Sequence, residues 1–198
     1  MNAKEPDEEP PIIAVLDEAA PADRRGIYYV VTAAIMLDVD AVRRGLAEVV
    51  PADRTRPFHW SAEGPRARTR MVELLIETGV VAHVVVHYPT GRRRQEEARR
   101  NAMVELVPLV VADGAAELII ESRSEREDQR DRQSVIEAMR LAEHTIRYRW
   151  EPKSESLLWV ADAVCGAVKE YVLHEDGSWL GRLELGAVLS ELRYRTLG

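Results

Sequence analysis

The sequence predicts an α/β protein in which a mixed or mainly parallel sheet is covered by helices. Three observations lead there. Short β-branched or apolar runs recur along the chain: "IIAVL", "VVAHVVVHY" and "AELIIES". Stretches with helical spacing separate them. No long linker, repeat or low-complexity segment interrupts the alternation after the first residues.

Residues 1–11 are acidic and proline-rich and read as a disordered leader, with a single domain over 12–198. "IIAVL" reads as a strand buried on both faces. "PADRRG" is a turn, and "IYYVVTAAIML" is a second strand close enough to form a hairpin with the first. Asp38 or Asp40 caps a short helix ending near Val49. "RPFHW" is a short extended piece. Ser61 is the expected N-cap of the next helix, which Gly64 and Pro65 open and Gly79 stops.

"VVAHVVVHY" is the third strand. The long helix that follows pairs Glu96 with Arg100 and is kinked at Pro108. "AELIIES" is a buried strand, and the charged stretch 124–134 enters a helix that ends near Ala142. "IRYRWEP" is an edge strand with alternating polar and aromatic side chains. "SESLLWVADAVCGAVKEYV" is the last long helix, with Leu157, Ala161, Val164, Cys165, Val168 and Val172 as its core stripe.

Composition narrows the chemistry. Hydrophobic residues make up 46% and charged residues 31%, a balance that suits a folded domain in water. The apolar runs are too short to cross a bilayer, and "MNAKEPDEEPP" lacks the basic-then-apolar pattern of a secretory signal, so a cytoplasmic protein is expected. The single cysteine, Cys165, excludes an internal disulfide and a multi-thiolate zinc site. A net charge of −7 argues against nonspecific duplex binding over the whole surface, because that binding needs cations to displace counterions. A local Arg-rich surface for nucleic acid stays open. "GRRR", Arg99 and Arg100 read as a solvated face. Arg123, Arg126, Arg130 and Arg132 are better placed for phosphates but alternate with Glu125, Glu127, Asp128 and Asp131. The sequence leaves the oligomeric state open.

The candidate site is acidic. Asp17 ends the first buried strand and Glu121 ends "ELII". Ligands of open α/β sheets bind beyond the carboxyl ends of strands. If these two strands are parallel neighbours, the two acids lie side by side and repel unless a cation separates them. Asp162 borders the apolar stripe of the last helix, so it needs a partner. Each acid also has a plainer reading: a turn former or cap for Asp17 and Glu121, and an ion pair with Arg123 or Arg132 for Asp162. Glu18 is a solvated neighbour or a fourth ligand. His59, in "FHWS", is a proton shuttle, a phosphate contact or a structural hydrogen-bonding group. His83 and His87 share a strand face about 13 Å apart, too far to hold one metal together.

"AVLDEAA" with its hairpin strand, "FHW" before a helix, "ELIIES" before a charged helix, and "KSESLLWVADAVCGAV" together resemble the bacterial family catalogued as domain of unknown function 3800, whose fold is ribonuclease H-like. The resemblance spans nearly all of residues 12–173. It implies that Asp17, Glu121 and Asp162 form an acidic cluster with Glu18 as an accessory. Three departures stand out: Ala19 where the family usually has serine, Glu121 where it often has aspartate, and Trp159 where a polar residue often precedes Ala-Asp. Carboxylate ligands imply Mg²⁺ or Mn²⁺. The leading expectation is a divalent-metal-dependent nuclease or phosphodiesterase using Asp17, Glu121, Asp162, Glu18 and His59. The alternative is a catalytically inactive binding or regulatory module on the same fold.

Overall fold

The computed structural model describes residues 10–22, 26–50 and 56–197. Most of the leader and the centre of the "PADRRG" turn therefore lie outside the described residues. Six strands form one mixed sheet: β1 (Ile13–Ala19), β2 (Ile27–Met36), β3 (Val81–Thr90), β4 (Glu117–Glu121), β5 (Arg147–Glu151) and β6 (Leu189–Arg195), in the order β5-β4-β1-β2-β3-β6. The β1–β2 and β2–β3 pairs are antiparallel. The β1–β4, β4–β5 and β3–β6 pairs are parallel.

Helices cover both faces. On one face lie α1 (Val39–Val49), α2 (Pro65–Glu77), α5 (Leu158–His174) and α6 (Ser178–Leu185), packed on Val15, Val30, Val84 and Ile119. On the other lie α3 (Gln95–Ala112) and α4 (Glu125–Ala142), packed on Leu16, Val31, Val85 and Ile120. The two core sets differ by one residue along each strand, as the period of two requires. This is the helix-covered mixed sheet that the sequence pattern predicts, in the ribonuclease H-like architecture that the resemblance implies.

Several local expectations hold. Asp38 caps α1, its carboxylate accepting the Ala41 N–H at 2.8 Å. Gly79 takes the left-handed backbone just past α2, with φ +64°. The charged stretch enters α4, which ends at Ala142; the structure adds a capping box, in which the Ser124 N–H donates to Glu127 Oε2 at 3.1 Å. β5 is an edge strand.

Other expectations are corrected. Gly64, not Ser61, is the N-cap of α2, because Pro65 already starts the helix; Ser61 lies in a separate 3₁₀ turn, Trp60–Ala62. Glu96 does not pair with Arg100. It faces α4 and binds Arg123 at 2.8 Å, while Arg100 binds Glu137 at 2.7 Å. Pro108 lies inside α3, which continues past it to Ala112. Arg99 is not solvated: it is 2% exposed and belongs to the stripe that also carries Ala102, Met103 and Leu106.

α6 and β6 follow the last helix that the sequence reading identifies. β6 hides its alternation. Its register jumps from Ala82↔Leu189 to His83↔Glu191, so Ser190 is an extra residue that breaks the period of two. The helices of the described residues include none long and apolar enough to cross a membrane.

A buried carboxylate cluster as candidate functional site

The parallel register Leu16↔Ile120 brings the carboxyl ends of β1 and β4 to one rim of the sheet. One residue further on, Asp17 and Glu121 share the face that α5 covers, close enough for each carboxyl to act on the other. Burial pushes the Asp17 carboxyl well above the usual range, and the neighbouring charges of Glu121 and Asp162 push it further. Asp17 also accepts the Glu18 N–H at 2.7 Å, a bond within its own strand end.

Asp162 enters from the first turns of α5 and is 6% exposed. Its partner is neither Arg123 nor Arg132. Asp162 Oδ2 accepts the Trp60 backbone N–H at 2.6 Å, and Oδ1 lies 2.9 Å from His59 Nδ1. The "FHW" segment therefore docks on the helix through Asp162. A close approach makes this possible: a Cβ on Gly166, one turn along α5, would lie 2.1 Å from Trp60 Cγ. Gly166→Ala should therefore destabilise the protein by roughly 1–3 kcal/mol through overpacking, although alanine normally favours a helix interior over glycine. Urea unfolding of the two proteins checks the sign; a stabilised variant would mean that Trp60 yields freely.

The residue that the sequence reading missed is Lys153. It sits in the turn between β5 and α5, with Nζ 3.4 Å from Glu121 Oε2 and 3.7 Å from Asp162 Oδ1. Burial opposes its charge, but the fields of Asp17, Asp162 and Glu121 outweigh that and raise its pKa. The available signal was its rarity. The chain has 27 basic residues, and only Lys4, Lys153 and Lys169 are lysines. Cys165 is buried beneath the site; burial and the charges of Asp17 and Asp162 push its thiol well above the usual range, keeping it protonated and inert.

Glu18 does not join the cluster. Alternation points it to the opposite face, where it pairs with the buried Arg99. Arg99 also grips Asp131 of α4, with Nη2 2.7 Å from Oδ2. His83 and His87 belong to that opposite face too, and His83 binds Asp113 at 2.6 Å. The arginine-rich stretch is largely neutralised: Arg123 reaches Glu96 and Asp131, and Arg130 reaches Glu96. Arg132 instead lies over the Trp150 ring, 5.1 Å from its centroid, and lines a cavity of about 460 Å³ with Ser122 and Gln129.

In kind, the donor set fits a hard divalent cation: Asp17, Glu121 and Asp162 offer only carboxylate oxygens, and one ammonium leaves their negative charge unbalanced. As arranged, no three such groups among the described residues stand ready to ligate an ion. Lys153, His59 and the Trp60 N–H already engage Glu121 and Asp162.

No family model and no curated protein sequence matches the chain. Among solved structures it is similar to a chain of the complex of PCNA with ribonuclease HII from Archaeoglobus fulgidus. The TM-score is 0.54 and the identity 14%, over 86% of this chain and 78% of that one. The likeness supports the ribonuclease H-like fold.

Proposed function

We propose that the protein is a divalent-metal-dependent phosphodiesterase acting on nucleic acid, with Asp17, Glu121 and Asp162 as the metal-holding residues. One observation carries the reading: three acids from two strand ends and a helix gather around Lys153 at one rim of the sheet, with too little positive charge to balance them. Mg²⁺ or Mn²⁺ would supply Lewis-acid stabilisation of the scissile phosphate and of the attacking water. The chain's own groups do the rest. The Trp60 N–H holds Asp162 in place, so its carboxylate needs no reorganisation when a cation arrives. His59 is fixed through Nδ1 to Asp162 and is half exposed, so Nε2 can hold or pass a proton at the rim of the site. Arg132, stacked on Trp150, lines a cavity together with Arg123 and the acids Glu125 and Asp128, and is the candidate phosphate contact of the 123–132 stretch. The order of the motifs also agrees with the family resemblance noted above.

A binding module without chemistry is the second reading. It is favoured by Lys153, whose ammonium already neutralises part of the cluster. The experiment that separates the two is a cleavage assay on DNA, RNA and hybrid oligonucleotides with Mg²⁺, Mn²⁺ or chelator. Cleavage should appear with metal and vanish with chelator, and Glu121→Gln should lower it at least about 100-fold. Wild-type protein that binds oligonucleotides but cuts none of them would favour the second reading.

A further inference from the structure

Lys153 is held in an unusual way for a half-buried cation. Its two measured contacts, 3.4 and 3.7 Å, exceed the 2.7–2.9 Å of a charge-assisted hydrogen bond. Both oxygens of Asp162 already have closer partners in His59 and Trp60. The ammonium is therefore held by one long hydrogen bond to Glu121 and by the field of the three acids, with no short directed bond. Its backbone, by contrast, is fastened: the Trp159 indole N–H donates to the Lys153 carbonyl at 2.9 Å. The side chain is 36% exposed, so it has a way out that does not disturb the turn.

Residue type points the same way. Arginine supplies nearly every cation in this chain, yet lysine stands here. A guanidinium would clamp two carboxylates with parallel hydrogen bonds, whereas an ammonium is a compact point charge on a flexible stem. An ammonium and a divalent ion placed together among these acids would repel each other strongly at such short range.

We propose that Lys153 is a resident counter-cation that a divalent ion must displace, so that the cluster exchanges one ammonium for one metal. The inference rests on the metal-holding role of Asp17, Glu121 and Asp162. It assigns Lys153 a regulatory part in that role: the lysine neutralises the metal-free site, sets the metal concentration at which the site fills, and on leaving carries its positive charge to the rim. Trp159 serves as the hinge pin, holding the lysine backbone while the side chain moves.

Calorimetric titration with Mn²⁺ tests this on wild type, Lys153→Met and Lys153→Arg. The methionine variant should bind Mn²⁺ roughly tenfold or more tightly than wild type, and the metal-free variant should melt lower. The arginine variant should bind no more tightly than wild type. A second readout needs no variant: acylation of Lys153 by an amine-reactive reagent, scored by peptide mass spectrometry against Lys169, should speed up when Mn²⁺ is added. Equal or weaker binding by Lys153→Met overturns the exchange while leaving the metal site standing. If the methionine variant does not fold, unchanged acylation of wild type under saturating Mn²⁺ overturns it instead. Absence of Mn²⁺ binding by every variant ends both the exchange and the metal-holding reading beneath it.

Discussion

Asparagine at position 17 should raise the melting temperature of the metal-free protein and abolish its response to Mn²⁺. Asp17 is 3% exposed and lies beside the charges of Glu121 and Asp162, so the native state accommodates its own charge poorly. Asparagine keeps the shape, still accepts the Glu18 N–H through Oδ1, and offers Glu121 a donor without needing a proton. The expected gain is about 1–2 kcal/mol near neutral pH, or several degrees. Its sign with pH follows from linkage. The folded-state pKa of Asp17 is raised, so the native state binds the proton more tightly than the unfolded chain does. The stability this contributes is complete below the ordinary carboxylate value of about 4 and is lost as pH rises through the raised folded value. The advantage of the asparagine variant should therefore grow from mildly acidic toward neutral pH. Melts of both proteins across that range, with Mn²⁺ and with chelator, test it. A variant that melts lower at every pH, beside a wild type indifferent to Mn²⁺, would make Asp17 a structural residue and remove the basis for the metal site.

Replacing Arg99 with alanine should cost roughly 3–5 kcal/mol, the range for removing one partner of a buried ion pair. Arg99 is 2% exposed and lies between Glu18 of β1 and Asp131 of α4. Without it, Glu18 keeps only a distant contact with Arg123 at 3.9 Å, and Asp131 keeps Arg123 at 3.1 Å. Urea unfolding gives the loss, and the Arg99→Ala/Asp131→Ala cycle should show strong coupling, because the second removal deletes one of the stranded charges. A loss below about 1 kcal/mol would mean that water reaches the pair and screens it.

The sequence carried the acid cluster because its carriers are regular. An apolar run that ends in an acid marks a strand end, and two such strands, once parallel, must bring Asp17 and Glu121 together. Asp162 was legible because a carboxylate on an apolar helix stripe demands a partner. The identity of that partner was not: Trp60 offers a backbone N–H, which leaves no trace in a sequence. Lys153 escaped because one lysine in a turn carries no period. Arg99 was hidden by its surroundings, a run of arginines that looks solvated, although its spacing to Ala102, Met103 and Leu106 places it on the buried stripe. β6 was missed because a single extra residue at Ser190 destroys the alternation by which strands are recognised.

Asp17 and Glu18 are neighbours in sequence, yet they serve opposite sides of the sheet, one facing Lys153 and the other Arg99. A one-residue slip of β1 would exchange every side chain between the two layers. The longer Glu18 would then crowd the carboxylate pocket, and Asp17 would fall short of the guanidinium. Such a slip would be penalised twice, independently on each side. The dipeptide thus acts as a two-sided key for strand alignment, disfavouring a shifted β1 on both faces of the sheet at once.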